Sequence, residues 1–529
     1  MTAASRTRLG LFVLFQALYV LTSSGNAFRI PDEFELYFQT EHLVDAGDIS
    51  VPQTLAITQP VVVDGKVVGT QSILFGKIGR DGKPYAPYGP LAAYLAVPHH
   101  LLGRALASLS GIPRVPAGQG LAWVIFVGGI TMLSTATAAA LAVAGFHRAA
   151  IAIGTMPGPA LWLALLLGGA TVLWPYGTSF FTEAWQAAAM VWAAALLIEA
   201  RTMERPGARV AIAGLLLAVT GLTKVTSLVF APAFVIAVMV DRTVTISRRM
   251  QVAAVLTGGI VFATAVHVGW NAYRFGSPFD FGYAWGETIP SLPARAFLLS
   301  DIPRGLAVNL AAPGKSIFLW APVLVLALLN GVRSWRRQPA LTTGLGTALG
   351  VGLLVYGAYL FAEGGYAHGP RHLVPIIPLL VLAAAGPDAS NWSKPALYAC
   401  GAVGMVMALL STGVSFLEDQ ALRRDAFGRP VPGYYEIIDP PQGRPSNRYR
   451  LGYIPFVTAL RAPGWLHSPA LGQGPDYFFL HLQQARRQLP DGQALPASFT
   501  MIWPAFWLIV MAAAAVDLAR REKWTRAPM

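Results

Sequence analysis

Three short stretches carry groups able to do chemistry at a membrane. The first, PDEFELYFQTEHLVDAGD, sets Asp32 and Glu33 directly after an N-terminal apolar run. A carboxylate where a helix leaves the membrane, beside Phe34, Tyr37 and Phe38, is expected to be partly desolvated. That raises its pKa and makes it a better base than a free aspartate. The second, GGYAHGPRHLVPIIPLL, opens an apolar run with Arg371 and His372 after Gly364, Gly365 and Gly369. Arginine is costly there unless it faces an anion or water. A guanidinium binds phosphate through several donors in fixed geometry; the plainer reading is an interfacial arginine reaching lipid headgroups. The third is Lys224 in GLTKVTSLVF, which suits phosphate binding and interfacial anchoring about equally.

Other polar residues flank these. Glu183 in PYGTSFFTEAWQ and Glu363 before the glycine-rich turn can bind sugar hydroxyls, orient a base or cap a helix. His368 and His372 belong to the Arg371 stretch and are candidate substrate contacts. KPYAPYGPL supplies Lys83, Tyr85 and Tyr88 among three prolines; tyrosine suits sugar stacking and, more commonly, interface anchoring. His99 and His100 are adjacent, so they do not share a helix face as paired metal ligands usually do. A divalent cation is an open possibility with no dedicated set of ligands. No H-E-x-x-H, phosphate-cradling G-x-x-x-x-G-K-[ST] or G-x-S-x-G pattern stands in a credible context.

The elements that position these groups are membrane helices. Of 529 residues, 54% are hydrophobic and 12% charged, against about a quarter charged in soluble domains. Apolar runs recur along the chain, and a helix needs roughly 20 apolar residues to cross a bilayer. Candidate spans are 9–26, 119–145, 149–173, 178–199, 208–223, 225–240, 250–271, 314–332, 338–361, 371–386, 395–416 and 499–519. The first is read as a retained helix rather than a cleaved signal peptide. The net charge of +13 does not indicate nucleic acid, because the basic residues are spread over short connections between apolar runs. With 12 spans and both termini cytoplasmic, Arg148, Arg201, Arg205, Arg209, Arg242, Arg248, Arg249, Arg333, Arg336, Arg337 and the C-terminal basic residues all fall inside. That parity requires residues 88–109, broken by Pro98, His99 and His100, to lie along the outer surface or to be only partly inserted. Phe34, Tyr37, Phe38 and Val44 mark a second surface helix. The single cysteine, Cys400, forms no internal disulfide.

The expected fold is an all-α polytopic membrane protein of about 12 transmembrane helices. Residues 1–416 form the membrane domain, with outer loops 27–118 and 272–313. Residues 417–498 form an extracytoplasmic region, and 499–529 the last helix and a cytoplasmic tail. Function is expected on the outer face, where the chain spends its loop residues. Nucleotide donors are normally absent there, so a transferase needs a substrate arriving in the membrane. A sugar on an isoprenoid phosphate fits, with its apolar tail, anionic phosphate and polar head.

At this point the chain resembles the GT-C glycosyltransferases, a group that includes protein O-mannosyltransferases and lipid A aminoarabinose transferases. The likeness covers about residues 8–380. It rests on PDEFELYFQTEHLVDAGD, on KPYAPYGPLAAYLAVP, on FFTEAWQAAAMVWAAALLIEAR followed by AGLLLAVTGLTKVTSLVFAP, and on GGYAHGPRHLVPIIPLLVL. The resemblance implies a GT-C-like helical bundle with juxtamembrane helices in the first outer loop. It implies a polyprenyl-phosphate-linked sugar as donor and a glycan, lipid or protein as acceptor. Asp32 becomes the base, Glu33 its support or a donor contact, and Lys224 and Arg371 the groups that meet the lipid phosphate. The alanine-rich composition and the lack of an obvious eukaryotic signal point to a bacterial plasma membrane, with membrane lipids as neighbours. The region after 417 matches no family motif. The rival readings are a transporter or flippase of a lipid-linked or anionic substrate, a lipid-linked polymer ligase and a non-catalytic scaffold.

Overall fold

The structure is a computed structural model that describes residues 2–24, 30–63, 66–114, 121–283, 297–359, 361–362, 364–365, 367–387, 389, 394–414, 457, 460, 477–480 and 497–526. Helix α1 (Ala3–Leu21) begins on a Thr2 cap whose hydroxyl accepts from the Ser5 N–H. It buries Leu11, Phe15 and Tyr19 in the main core. Helix α2 (Pro31–Ala46) follows. Proline at its first position has the φ a helix needs, and Asp32 and Glu33 sit in the first turn, where the helix dipole favours negative charge. Gly47, at φ +69°, ends it in the left-handed conformation that glycine adopts without strain.

The first outer loop then departs from the all-α expectation. After the short α3 (Gln53–Ala56), β1 (Thr58–Val63) pairs antiparallel with β2 (Lys66–Ser72), in register from Thr58–Ser72 to Val63–Lys66 with an irregularity at Val61/Val62. Two valine-rich runs form this hairpin, because branched side chains suit a pleated ribbon. A second small ribbon joins β3 (Lys77–Ile78) to β4 (Pro84–Tyr85). Helix α4 (Leu91–Leu109) carries Pro98 within it, packs Ala92, Ala93, Ala96, Gly103 and Ala107 inward and exposes Tyr94, Leu101, Leu102 and Leu109.

The rest is a helical bundle. In chain order it comprises α5 (Leu121–Ala152), α6 (Pro157–Gly169), α7 (Leu173–Gly177), α8 (Glu183–Ala200), α9 (Gly207–Thr223), α10 (Ala231–Val240), α11 (Ile246–Phe275), α12 (Ile302–Ala311), α13 (Ile317–Trp320), α14 (Val323–Ser334), α15 (Pro339–Ala358), α16 (Ile377–Val381), α17 (Lys394–Thr412) and α18 (Ala497–Arg526). Helix α5 packs closely on α8, and at Gly145 an added Cβ would lie within 3.0 Å of Trp192 and Val191, as small residues allow between membrane helices.

This is an integral membrane protein. Among the described residues, five helices are long and apolar enough to cross a bilayer: those within α5, α11, α15, α17 and α18. Five shorter apolar helices accompany them, at Pro157–Gly169, Gly207–Thr223, Val225–Val240, Val323–Arg333 and Arg371–Ala384. Several expected spans are interrupted rather than continuous. The span expected at 149–173 breaks at Gly154, φ +97°. That at 314–332 is divided between α13 and α14, with Pro322 at the break. That at 371–386 is tight 3-10 turn, α16 and tight turn again. Pro375 and Pro378 lie in this last segment, and proline has no N–H to give a regular helix.

Several basic residues of the short connections gather at one end. Arg148 grips Glu199 through two bonds of 2.6 Å, Arg209 reaches the same carboxylate at 3.0 Å, and Arg201 pairs with Asp241 at 2.6 Å. Arg8 lies close enough to Arg148 and Glu199 to feel both charges. Span parity from the sequence placed Arg148, Arg201 and Arg209 together, and the fold does so. The first-loop helices α2 and α4 and the two ribbons lie at the other end. Most of region 417–498 and much of loop 272–313 lie outside the described residues.

Candidate active site

Four charged side chains meet where α1 leads into α2. Each arrives on a different element. Asp32 stands in the first turn of α2, and Glu183 opens α8. Lys224 is the extended residue that ends α9. Arg371 begins the tight turn after a loop in which Gly364, Gly365 and Gly369 have φ of +81°, +65° and +62°. Lys224 Nζ donates to Glu183 Oε1 at 2.8 Å, Arg371 Nε donates to the same oxygen at 2.9 Å, and Arg371 Nη2 donates to Asp32 Oδ1 at 2.5 Å. The result is an alternating chain, Lys224–Glu183–Arg371–Asp32, with no net charge.

Burial is graded along it. Glu183 is 1% exposed and Arg371 9%, whereas the ends, Lys224 and Asp32, are 21% and 24% exposed. A buried ion is tolerated only when its charge is met; the two inner members do this for each other, although Glu183 Oε2 is buried without a hydrogen-bond partner among the described residues. The Arg371 guanidinium also lies 4.0 Å from the centre of the Phe181 ring, a favourable cation–π arrangement. The exposed ends are the groups an incoming substrate can reach.

Other predicted residues sit around this chain. Glu33 is fully buried and accepts from the Phe180 N–H at 3.0 Å, tying α2 to the turn that leads into α8. The Tyr88 hydroxyl is buried and has no hydrogen-bond partner among the described residues. Burial pushes its pKa well above the usual value, and the charges of Asp32 and Glu35 add to the rise. His372 is buried, with Nε2 3.1 Å from the Phe361 carbonyl oxygen and its ring stacked 4.7 Å from that of Tyr356. His368 stands one step further out, where its carbonyl accepts from the Tyr176 hydroxyl at 3.0 Å.

Two predicted residues are not brought in. Lys83 is half-exposed and pairs with Asp48 at 2.7 Å. Tyr85 donates to Asp81 at 2.7 Å and its ring meets Trp270 and Phe275 edge-on. The β3–β4 ribbon turns both away from their neighbour Tyr88. Glu363 lies outside the described residues. Among those described, no three His, Cys, Asp or Glu side chains converge to hold a metal ion. His99 and His100 are engaged separately with Thr137 and Thr131.

Glu35 was not singled out by sequence, although it lies three residues after Asp32, the spacing that puts two helix residues on one face. It is fully buried, and its Oε1 accepts from the Phe75 and Gly76 N–H groups at 2.7 and 3.4 Å. Burial raises its pKa from 4.5 to about 8, against the lowering effect of those two bonds. The folded chain thus binds this proton more tightly than the unfolded chain. Its contribution to stability is complete below the unfolded value of 4.5 and is lost as pH rises through about 8. Thermal unfolding is expected to move to lower temperature across that window in the native chain, and Glu35→Gln is expected to flatten the trend. An equal slope in the variant would assign the trend to another group.

The glycine-rich turn has a second support. Lys315 Nζ donates to the carbonyls of Gly365 and Ala367, clamping the loop from which Arg371 projects. At Gly364 an added Cβ would lie 2.4 Å from Arg371 Cβ, on a backbone at φ +81°. Gly364→Ala is expected to cost about 1–3 kcal/mol in stability from backbone strain and to displace the guanidinium. Unfolding measurements would show the loss; an unchanged midpoint would mean that the turn adapts freely.

No protein-family model matches the chain, and no curated protein matches it with statistical significance. Solved structures are similar to it. One is ArnT from Cupriavidus metallidurans in the apo state, with 15% identity and a TM-score of 0.47, covering 91% of this chain and 79% of that one. The same protein bound to undecaprenyl phosphate gives 14% identity and a TM-score of 0.45, covering 97% and 87%. The archaeal oligosaccharyltransferase AglB from Archaeoglobus fulgidus, in complex with an inhibitory peptide and a dolichol-phosphate, gives 13% and 0.42, covering 96% of this chain and 59% of that one. ArnT and AglB are GT-C glycosyltransferases, the group that the sequence motifs resemble.

Proposed function

We propose that the chain is a membrane glycosyltransferase that moves a sugar from a polyprenyl-phosphate donor to an acceptor hydroxyl or amine. The observation that carries this reading is the charge chain of Asp32, Arg371, Glu183 and Lys224, with buried inner members and reachable ends. The donor's tail lies between helices, and its phosphate meets Lys224 and Arg371. Arg371 is held by Asp32 in the resting chain, so an arriving phosphate competes for the guanidinium and frees the carboxylate. Asp32 then takes the proton of the acceptor. The acceptor's lone pair forms the new bond at the anomeric carbon, from the side opposite the phosphate. The bond from that carbon to the phosphate oxygen breaks, and its electron pair leaves with the lipid phosphate, which the two cations stabilise. The sugar's configuration inverts. Glu183 orients Arg371 and Lys224, and Glu33 anchors the helix that carries the base. The site faces the extracytoplasmic side of a bacterial plasma membrane, with both termini in the cytoplasm.

The test is transfer of radiolabelled sugar from a panel of polyprenyl-phosphate donors by purified protein in lipid vesicles. Transfer is expected, with the lipid phosphate as second product. Absence of transfer from every donor, with movement of the labelled lipid across the vesicle wall, would replace this reading with that of a flippase.

A further inference from the structure

A second feature lies at the basic end of the bundle, away from the carboxylate chain. Helices α8, α10, α15 and α16 border a half-open cavity of about 120 Å³ walled by Leu197, Phe234, Ala237, Leu345, Ala348 and Leu379. Such an apolar space offers water too few partners to hold it in order. Its polar rim is made by Arg201, Asp241 and Arg249. Arg201 and Asp241 neutralise each other at 2.6 Å. Arg249 has no such partner among the described residues: one terminal nitrogen donates to the Met239 carbonyl at 2.6 Å, and its buried Nε donates to nothing. The neighbouring Arg248 is spent on the Ala200 and Met203 carbonyls at the end of α8, and Arg242 is exposed. The rim therefore carries positive charge that no protein carboxylate offsets, above a slot that suits only hydrocarbon.

We infer that this is a binding site for an anionic glycerophospholipid, with the end of one acyl chain in the cavity and the headgroup phosphate on Arg249. Charge complementarity selects the headgroup and the apolar wall selects the chain. A zwitterionic lipid offers the same chain without the net charge.

The experiment uses the full chain in nanodiscs made from equal amounts of phosphatidylglycerol and phosphatidylcholine of matched acyl chains, followed by native mass spectrometry of the lipids retained on release. Retained phosphatidylglycerol is expected to exceed phosphatidylcholine about fivefold, the worth of one well-placed basic group near the membrane. Arg249→Gln is expected to abolish the preference. Ala194→Phe, which pushes a ring into the slot from a half-buried wall position, is expected to lower retention of both lipids. Arg333→Gln, a basic change on α14 at a residue that does not line the cavity, is expected to leave both unchanged. No preference in the native chain, or an equal loss in the Arg249 and Arg333 variants, would overturn the site. Displacement of the retained lipid by equimolar undecaprenyl phosphate would overturn the assignment to a glycerophospholipid.

Discussion

Asp32→Asn is expected to lower kcat for sugar transfer by about 10²–10⁴-fold, the range by which a positioned general base contributes. The side chains have the same size, and the amide oxygen can still accept from Arg371 Nη2, now 2.5 Å from Asp32 Oδ1. What is lost is basicity and negative charge. The second loss has its own signature. The native carboxylate competes with the donor phosphate for Arg371, so its neutral replacement leaves the guanidinium freer. Affinity for the lipid phosphate is expected to hold or rise while kcat falls, a split that separates a base from a binding group. Because Asp32 is the more exposed end of the charge chain, at 24%, the unfolding midpoint is expected to change little. The measurements are kcat and KM for transfer, binding of undecaprenyl phosphate and thermal unfolding in detergent. Equal kcat in variant and native protein would move the base elsewhere. A fall in kcat matched by a fall in stability would give Asp32 a structural role.

Arg371→Met is expected to be the more damaging change to the fold. Arg371 is 9% exposed and is one of two cations on Glu183, which is 1% exposed. Removing it leaves that carboxylate to Lys224 alone and takes the cation from the face of Phe181. Breaking a buried pair from one side typically costs about 3–5 kcal/mol, because the remaining charge loses its compensation. Adding Glu183→Gln to Arg371→Met is therefore expected to recover much of the stability while transfer stays absent. Arg371→Lys keeps the charge but not the fork that bonds Glu183 through Nε and Asp32 through Nη2. It is expected to fold and to lose about 10- to 100-fold in kcat/KM, the worth of a hydrogen bond to a charged group. Unfolding curves and transfer rates for the four proteins check these outcomes. A stable Arg371→Met, or a double variant no more stable than the single, would contradict the account of a mutually compensated buried chain.

Much of the architecture was legible before any fold. Hydropathy and the spacing of Lys and Arg are local properties of a chain in a bilayer, so residues such as Arg148, Arg201 and Arg209 could be assigned to one end by parity. Pro31, Asp32 and Gly47 likewise announce a helix by their own conformational preferences. The glycines before Arg371 signalled a tight turn for the same reason, and their positive φ angles bear that out. Glu35 was legible in principle, from its three-residue spacing to Asp32.

Other features depended on parts of the chain that local pattern does not relate. Lys83 and Tyr85 share a motif with Tyr88, yet the β3–β4 ribbon sends them to Asp48 and Asp81, because strand pairing overrides nearness in sequence. The bend at Pro322 and the turns around Pro375 interrupt runs that hydropathy alone reads as continuous. The sequence by itself determined a set of basic connections that share one end, an end rich in long loops, and the residue types available for acid–base and phosphate chemistry. Only the tertiary structure decided that Arg371 is shared between Asp32 and Glu183, 339 and 188 residues away along the chain. Its physical reason is burial: an arginine placed at that depth must find carboxylates, and packing alone determines which ones lie within reach.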